Sequence, residues 1–289
     1  MTTQVSAQAA PAAGTRPRGP RRRVTRRRML VLAAQAATFI VIFGGWQLAA
    51  QAKIVDPFFF GEPSAIVSKL ISWFAQGTPY GSLGTEIWVT LQEALLGFLF
   101  GVAGGVVLGV LLGQFRFLAD VAGPYIKAAN ALPRIVLGSI FVVWLGLGTP
   151  SKVMLAAVLV FFVVFFNAFQ GVREVDGNLI ANVRVLGASR IQVIRNVILP
   201  SAMTWIIASL HVAFGFAVIG AIVGEFLGAQ QGLGLMISQA QGQLDANGVF
   251  AAMLVIAVIA LAAEWLIGLL ERRLLAWRPQ SRAESPQAA

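Results

Sequence analysis

Six long runs of apolar residues, almost free of charge, constrain this chain more than any other feature. A helix that crosses a bilayer needs about 20 consecutive apolar residues, and these runs are close to that length or longer. Only 12% of the residues are charged, whereas soluble domains carry about 25%, so the apolar surplus cannot be buried in one soluble core. We therefore predict an all-α integral membrane protein with six transmembrane helices. The runs are residues 29–50, 86–113, 129–147, 151–170, 203–224 and 250–270.

Two of these runs have alternative interpretations. Residues 29–50 follow an Arg-rich segment and could belong to a cleaved export signal. The apolar part of such a signal is only about 7–15 residues long, so the length favours a retained first helix. The run at 129–147 is the least regular, because Asn130, Pro133 and Arg134 interrupt its start.

The positions of the basic residues predict an orientation. If the spans alternate, most of the 22 Lys and Arg residues fall on one side, and only Lys53, Lys69 and Lys152 fall on the other. Basic residues concentrate in cytoplasmic segments, so both termini are predicted to be cytoplasmic. We assign the net charge of +10 to topology and to contact with anionic membrane lipid, and we predict no nucleic acid partner.

This orientation divides the chain into segments. Residues 1–28 are predicted to be a basic disordered cytoplasmic tail, and residues 273–289 a second cytoplasmic tail. Residues 51–85 form a periplasmic segment, in which Ile66, Leu70 and Trp73 share one face of a short interfacial helix with Ser64 as its N-cap. Residues 86–272 are the remaining five helices, joined in part by a cytoplasmic loop at 171–202.

Several kinds of chemistry are excluded by residue counts and motifs. The chain has no Cys and one His, so thiolate sites and His-rich metal sites are excluded. No G-x-x-x-x-G-K-[ST] loop is present, so the chain has no such phosphate-binding loop, and no G-x-S-x-G motif supports an intramembrane hydrolase. We predict no cofactor and no catalytic activity of its own.

The loop at 171–202 is too polar to span the membrane, and its residues predict a rigid elbow. Asp176 can cap a first short helix, and Gly187 suits the left-handed residue that follows a helix C-terminus. Ser189 and Gln192 have the spacing of a capping box, which starts a second short helix before Pro200 and the fifth span. The residues alone leave two interpretations open: an interfacial connector, or a projection that fits a groove in a partner.

Motifs in this loop and beyond it resemble a known family. Gly187, Val197 and the pair Leu199-Pro200 have the spacing of the signature loop of binding-protein-dependent ABC importer permeases, and "LGAS" from Leu186 to Ser189 is typical of it. The signature of the family begins with Glu-Ala-Ala, whereas residues 181–183 of this chain are Ala-Asn-Val. The segments "FFGEPSAIVSKL", "ALPR", "GLGTPSK" and "GEFLGAQQGLG" resemble the nitrate, sulfonate and taurine branch.

This resemblance implies a type I ABC importer permease fold and an inner-membrane transport function. It implies that two cytoplasmic ABC ATPase subunits bind and hydrolyse ATP, that a periplasmic or lipid-anchored binding protein delivers a small, anionic solute, and that a second copy of the permease completes the pathway. It also implies that the signature loop couples the ATPases to the spans. The coupling residues are then Arg184, Leu186, Gly187, Ala188, Ser189, Gln192, Leu199 and Pro200.

Polar residues inside the spans are candidates for the solute pathway or a gate, because charged groups are costly there. Hydrogen bonding between helices is the alternative. The candidates are Glu93, Asn130, Pro133, His211 and Glu225. A secondary transporter or channel, with Glu93 in a site near mid-membrane, is the alternative function. Gly97, Gly101, Gly105 and Gly109 form a stripe that predicts close helix packing.

Overall fold

The computed structural model of the protein describes residues 21–274, and within these residues the regular structure is helical apart from a single bridge between Thr78 and Gly81. Five helices are long and apolar enough to cross a membrane, and a bent pair of shorter helices makes up to six. The long helices are α1 (Arg21–Gln51), α4 (Leu83–Gln114), α7 (Thr149–Arg173), α10 (Leu199–Leu227) and α12 (Ala246–Leu274). The shorter ones are α2 (Pro57–Phe60), α3 (Pro63–Gln76), α5 (Arg116–Ala131), α6 (Leu137–Leu145), α8 (Gly177–Val185), α9 (Arg190–Val193) and α11 (Leu233–Gly242).

The chain divides into two compact units, the first ending at Ile54. Helix α1 belongs to this unit and begins at Arg21, within the segment predicted to be a disordered tail. Arg is a good helix former, so the basic residues from Arg21 continue the apolar helix backwards. The rest of the predicted N-terminal tail, residues 1–20, and residues 275–289 of the predicted C-terminal tail lie outside the described residues.

The predicted span at 129–147 is broken. Helices α5 and α6 meet at 78° around Leu132 and Pro133, and a single 3₁₀ turn, Arg134–Val136, starts the second half. Pro disfavours helical backbone in the residue before it, and Leu132 is accordingly extended. The interruption seen in the sequence thus marks a real break, and α5 extends back to Arg116, well before the predicted start of the run.

The Gly stripe of α4 lies directly against α7. A Cβ on Gly101 would lie 2.6 Å from the Ala157 carbonyl oxygen, and one on Gly109 would lie 2.7 Å from the Ala168 Cβ. The stripe therefore lets the two helix backbones approach closely, as the spacing of four predicts. Gly97 and Gly105 make equivalent contacts.

Helix α10 completes the core and packs against both α7 and α4. A Cβ on Gly220 would lie 2.5 Å from the Ala156 Cα, and one on Gly171 would lie 2.9 Å from the Trp205 Cβ. Buried side chains of α4, α7 and α10, among them Ala94, Val160 and Phe214, fill the space between them. These three helices form the scaffold that positions the sites described below.

Helix α3 occupies the segment predicted to hold an interfacial helix. It begins at Pro63 after Glu62, so Ser64 lies inside the helix and is not its N-cap. Pro is favoured at this first position because its missing N–H would have no partner there. Ile66 and Trp73 share one face, as predicted, but both side chains are buried within the protein and do not lie at an interface.

Candidate functional site

The elbow, residues 176–200, is held by local hydrogen bonds at every bend. The Asn178 N–H donates to the Asp176 carboxylate over 2.8 Å and so caps α8. At the other end Gly187 has φ +85°, and the N–H groups of Gly187 and Ala188 donate to the carbonyls of Arg184 and Val183. This pair of bonds is a Schellman motif, which stops α8 at a defined angle.

The second arm of the elbow begins with the predicted capping box. The Gln192 side chain accepts a hydrogen bond from the Ser189 N–H over 2.8 Å, and the Ser189 hydroxyl accepts one from the Gln192 N–H over 3.4 Å. The Arg190 guanidinium lies 5.0 Å from the centre of the Phe115 ring. The elbow is therefore next to the junction of α4 and α5, at the end of α4 that is remote from Leu83.

The elbow differs from prediction in one respect: α9 is not separate from the fifth span. Residues Ile194–Ile198 form a π-helical turn that joins α9 directly to α10, and the Leu199 N–H donates to the Ile194 carbonyl. A Pro ring normally clashes with the carbonyl four residues earlier. The wider turn just before Pro200 accommodates it, so residues 190–227 form one helix of 38 residues.

Apolar side chains at the tip of the elbow are open to the surroundings. Val185, Leu186 and Ile191 are exposed by 87%, 85% and 75% of their maximum areas. Arg184 and Arg190, beside them, are also exposed. An apolar tip with basic flanks on a rigid support has the composition of a surface that binds a partner.

At the far end of α10 the structure gathers a buried polar cluster, which we define as Glu86, Thr90, Glu93, Lys152 and Glu225. The first three lie on one face of α4, Lys152 in the first turn of α7, and Glu225 near the end of α10. All five are at least 96% buried. Polar side chains so buried require partners, and the α11 backbone provides several.

The first N–H groups of α11 are satisfied by this cluster. Gly232 N–H donates to the Glu86 carboxylate over 2.5 Å, Leu233 N–H to the Thr90 hydroxyl over 2.9 Å, and Gly234 N–H to the Glu225 carboxylate over 2.6 Å. Carboxylates at a helix N-terminus also interact favourably with its dipole. The cluster therefore attaches α11 to α4 and α10.

The other polar groups of the cluster are hydrogen-bonded only in part. The Lys152 ammonium donates to the carbonyls of Leu147 and Gly148, which fixes the loop between α6 and α7. One oxygen each of Glu86 and Glu93 has no hydrogen-bond partner within the described residues. Among these residues, no group of three or more His, Asp or Glu side chains could hold a metal ion.

The structure brings together two of the five residues predicted for the pathway. Glu93 and Glu225 are in the buried polar cluster, Asn130 and Pro133 flank the break between α5 and α6, and His211 lies in α10 near Gly268, away from both places. Their role in solute transfer stays a prediction. Glu225, near the end of α10, is fully buried and is hydrogen-bonded to Thr90 and Gly234.

Three members of the buried polar cluster are not among the residues predicted from the sequence. Glu86 and Thr90 precede Glu93 on the same helical face at spacings of four and three, a polar pattern in an apolar helix that could have revealed them. Lys152 was assigned to an outer loop, but it is fully buried. Its long side chain reaches carbonyls at the start of α7, a contact that no local sequence pattern indicates.

A bundle of membrane-spanning helices with an exposed elbow fits the class of transport permeases. Comparison with known proteins agrees. The chain belongs to the family of binding-protein-dependent transport system inner membrane components, whose model matches residues 105–276. It is thus a multi-pass inner-membrane permease subunit of an ABC importer, which works with separate ATPase subunits and a solute-binding protein.

Relatives within the family differ in the solute that their names give. A Bacillus subtilis (strain 168) protein named as an aliphatic sulfonates transport permease, SsuC, is 32% identical over 82% of this chain and 85% of its own length. The taurine transport system permease TauC of Escherichia coli (strain K12) is 29% identical, with coverages of 83% and 88%. The riboflavin transport system permease RibX of Chloroflexus aurantiacus is 30% identical, with the same coverages.

Solved structures support the fold. A chain of the inward-facing MetNI methionine ABC transporter matches with a TM-score of 0.58 and 22% identity, covering 68% of this chain and 95% of that one. A chain of an amino acid ABC transporter matches with a TM-score of 0.56 and 20% identity, covering 72% and 96%. The helices therefore have the arrangement of type I ABC importer permeases.

Proposed function

We propose that this subunit forms, with a second copy of itself, the membrane pathway of an ATP-driven importer for a small organic anion of the sulfonate type. The elbow is the site where each of two ATPase subunits docks. The observation that supports this best is the exposed apolar tip, Val185, Leu186 and Ile191, on a support fixed by a capping box and a Schellman motif. A flexible connector would need neither a capping box nor a Schellman motif.

The continuous helix that begins within the elbow suggests how docking affects the pathway. Residues 190–227 form one helix of 38 residues, about 57 Å long. The ATPase docking site lies at its start and Glu225, which holds α11, lies near its end. A movement of the elbow would therefore be transmitted along a rigid rod to the buried polar cluster, and α11 would move relative to α4.

The basic residues support an orientation with the elbow in the cytoplasm. Arg173, Arg184, Arg190 and Arg195 all lie in or next to the elbow, and basic residues favour the cytoplasmic side. Two basic residues do not lie in the segments between spans in which basic residues are counted. Lys152 is buried, and Arg134 lies at the break within a span. The remaining basic residues still favour this orientation, and the α11 end then faces the periplasm and the binding protein.

The solute class is supported by the names of two relatives. The proteins named for aliphatic sulfonates and taurine match at 32% and 29% identity, and both names give sulfonate compounds. Because the riboflavin permease matches equally well, the solute needs a direct test. The soluble partner is expected to contribute most of the selectivity.

The test is ATP-dependent uptake by the reconstituted transporter. The permease, co-expressed with its cognate ATPase and binding protein, is expected to co-purify with the ATPase and to import radiolabelled ethanesulfonate into liposomes only with ATP. An ATPase variant without its phosphate-binding Lys is the control and should give no uptake. Uphill uptake by the permease alone would indicate a secondary transporter and refute the proposal, and absence of ethanesulfonate uptake by an active complex would refute the solute class.

A further inference from the structure

A single cation lies at the break between α5 and α6. The Arg134 guanidinium stacks over the ring of Phe162, with 4.7 Å from the guanidinium carbon to the ring centre. Phe162 is near the middle of the 25-residue helix α7, about 18 Å from either end. The hydrocarbon core of a bilayer is about 30 Å thick, so the positive charge of Arg134 lies close to mid-membrane.

The contacts of Arg134 leave its charge uncompensated. Its guanidinium donates a hydrogen bond to the Asn130 side-chain oxygen and contacts the Phe162 ring. In the part of the chain that the structure describes, no carboxylate forms a salt bridge with Arg134. A guanidinium has five N–H donors, so most of them remain available.

An unpaired cation at this depth is costly if it faces lipid. Such residues therefore face a water-filled cavity or the interior of an assembly, and they mark solute pathways. Transporters commonly bind solute near the midplane at discontinuous helices, and Arg134 is the first residue after such a discontinuity.

The surroundings of Arg134 fit an amphiphilic anion. The apolar side chains close to Arg134 in the sequence are exposed: Leu132, Ile135 and Val136. Lipid headgroups lie about 15 Å from the midplane, too far to supply the anion. We propose that Arg134 binds the negatively charged group of the solute as it crosses mid-membrane, while the apolar neighbours contact its alkyl part. This inference rests on the proposed function.

The test compares charge at position 134 in the complete transporter. Arg134→Gln is expected to lower the maximal rate of ethanesulfonate uptake at least about tenfold, because it removes a charge-assisted hydrogen bond, and Arg134→Lys should keep a substantial part of the rate. Because the binding protein captures the solute, the half-saturating concentration should change little. ATP hydrolysis stimulated by the binding protein should stay within about twofold of wild type. Lys127→Gln, which removes an exposed cation from α5, is the matched control and should transport normally.

The outcomes separate this inference from the function on which it rests. If the wild-type complex imports ethanesulfonate and Arg134→Gln does so at the same rate, the inference alone fails. It also fails if Arg134→Gln and Arg134→Lys are equally defective, or if Arg134→Gln prevents assembly while Arg134→Lys does not, because Arg134 would then be structural. If the active wild-type complex imports no anion, the proposed solute class and this inference fail together.

Discussion

Thr90 and Glu225 are 135 positions apart in the sequence, yet the Thr90 hydroxyl donates a 2.6 Å hydrogen bond to the Glu225 carboxylate. The same hydroxyl accepts a hydrogen bond from the Leu233 N–H. One buried side chain of α4 thus connects the end of α10 to the start of α11. This connection is where a movement of α10 would reach the opposite end of the bundle.

Thr90→Val should destabilise the folded protein. Val keeps the shape of Thr but leaves the Leu233 N–H and one Glu225 oxygen without this partner, and each unsatisfied buried group costs about 1–3 kcal/mol. We expect a lower unfolding temperature in detergent, measured by the loss of the monodisperse peak after heating. Thr85→Val is the control, because the Thr85 hydroxyl bonds only the exposed Ser82. Equal stability of the two variants would contradict the role given to Thr90.

Gly101→Ala should weaken the contact between α4 and α7. The added Cβ would lie 2.6 Å from the Ala157 carbonyl oxygen and from the Val160 Cβ, and such overpacking costs about 1–3 kcal/mol. Gly104→Ala is the matched control on the same helix, since its Cβ would lie 3.4 Å from the nearest atom, a Phe161 ring carbon. We expect the first variant to unfold at lower temperature and the second to resemble wild type. The prediction fails if Gly104→Ala is the more damaging change.

Gly187→Val should uncouple ATP hydrolysis from uptake while the protein stays in the membrane. Gly187 has φ +85° and open space around its Cα, so the damage comes from the backbone, where a left-handed residue costs about 1–2 kcal/mol. The elbow would then lose its angle. Gly177→Val is the control in the same elbow, because Gly177 has open space and no positive φ. Coupled transport by Gly187→Val, measured as ATP hydrolysed per solute imported, would refute the rigid-elbow mechanism.

The salt bridge between Lys69 and Asp245, 2.6 Å long, predicts a pH dependence of stability. Burial raises the pKa of Asp245, but hydrogen bonds from Lys69 and the Gly248 N–H outweigh burial and hold it below its ordinary value of 3.8. The stabilisation is therefore complete above about pH 5 and is lost as the pH falls below the ordinary value and through the lowered pKa. Partly exposed pairs contribute about 0–1 kcal/mol.

Asp245→Asn should remove this contribution. The difference in unfolding temperature between wild type and Asp245→Asn should be largest at pH 7 and should shrink as the pH falls towards 3. Asp120→Asn, at an exposed position on α5, serves as the control and should show no such trend. A constant difference for Asp245→Asn across this range would indicate that the ion pair does not stabilise the fold.

Local features of the protein were predictable because their causes lie within a few residues. The capping box at Ser189 and Gln192, the left-handed Gly187 and the Gly stripe of α4 follow from spacing alone, and the structure has all three. The boundary between α9 and α10 was not predictable in this way. The π-helical turn that joins them widens the helix before Pro200, and Val193 and Val197 are buried there. This arrangement depends on packing against the rest of the protein.

The sequence alone determined the membrane environment, the helical class and the positions of most spans, because hydrophobicity, length and helix-breaking residues act locally. Only the tertiary structure decided which polar residues meet. Glu86 and Thr90 of α4 and Glu225 of α10 converge on the backbone of α11, and Arg134 stacks over Phe162 near the middle of α7. Their environments depend on long-range packing, which local patterns do not encode.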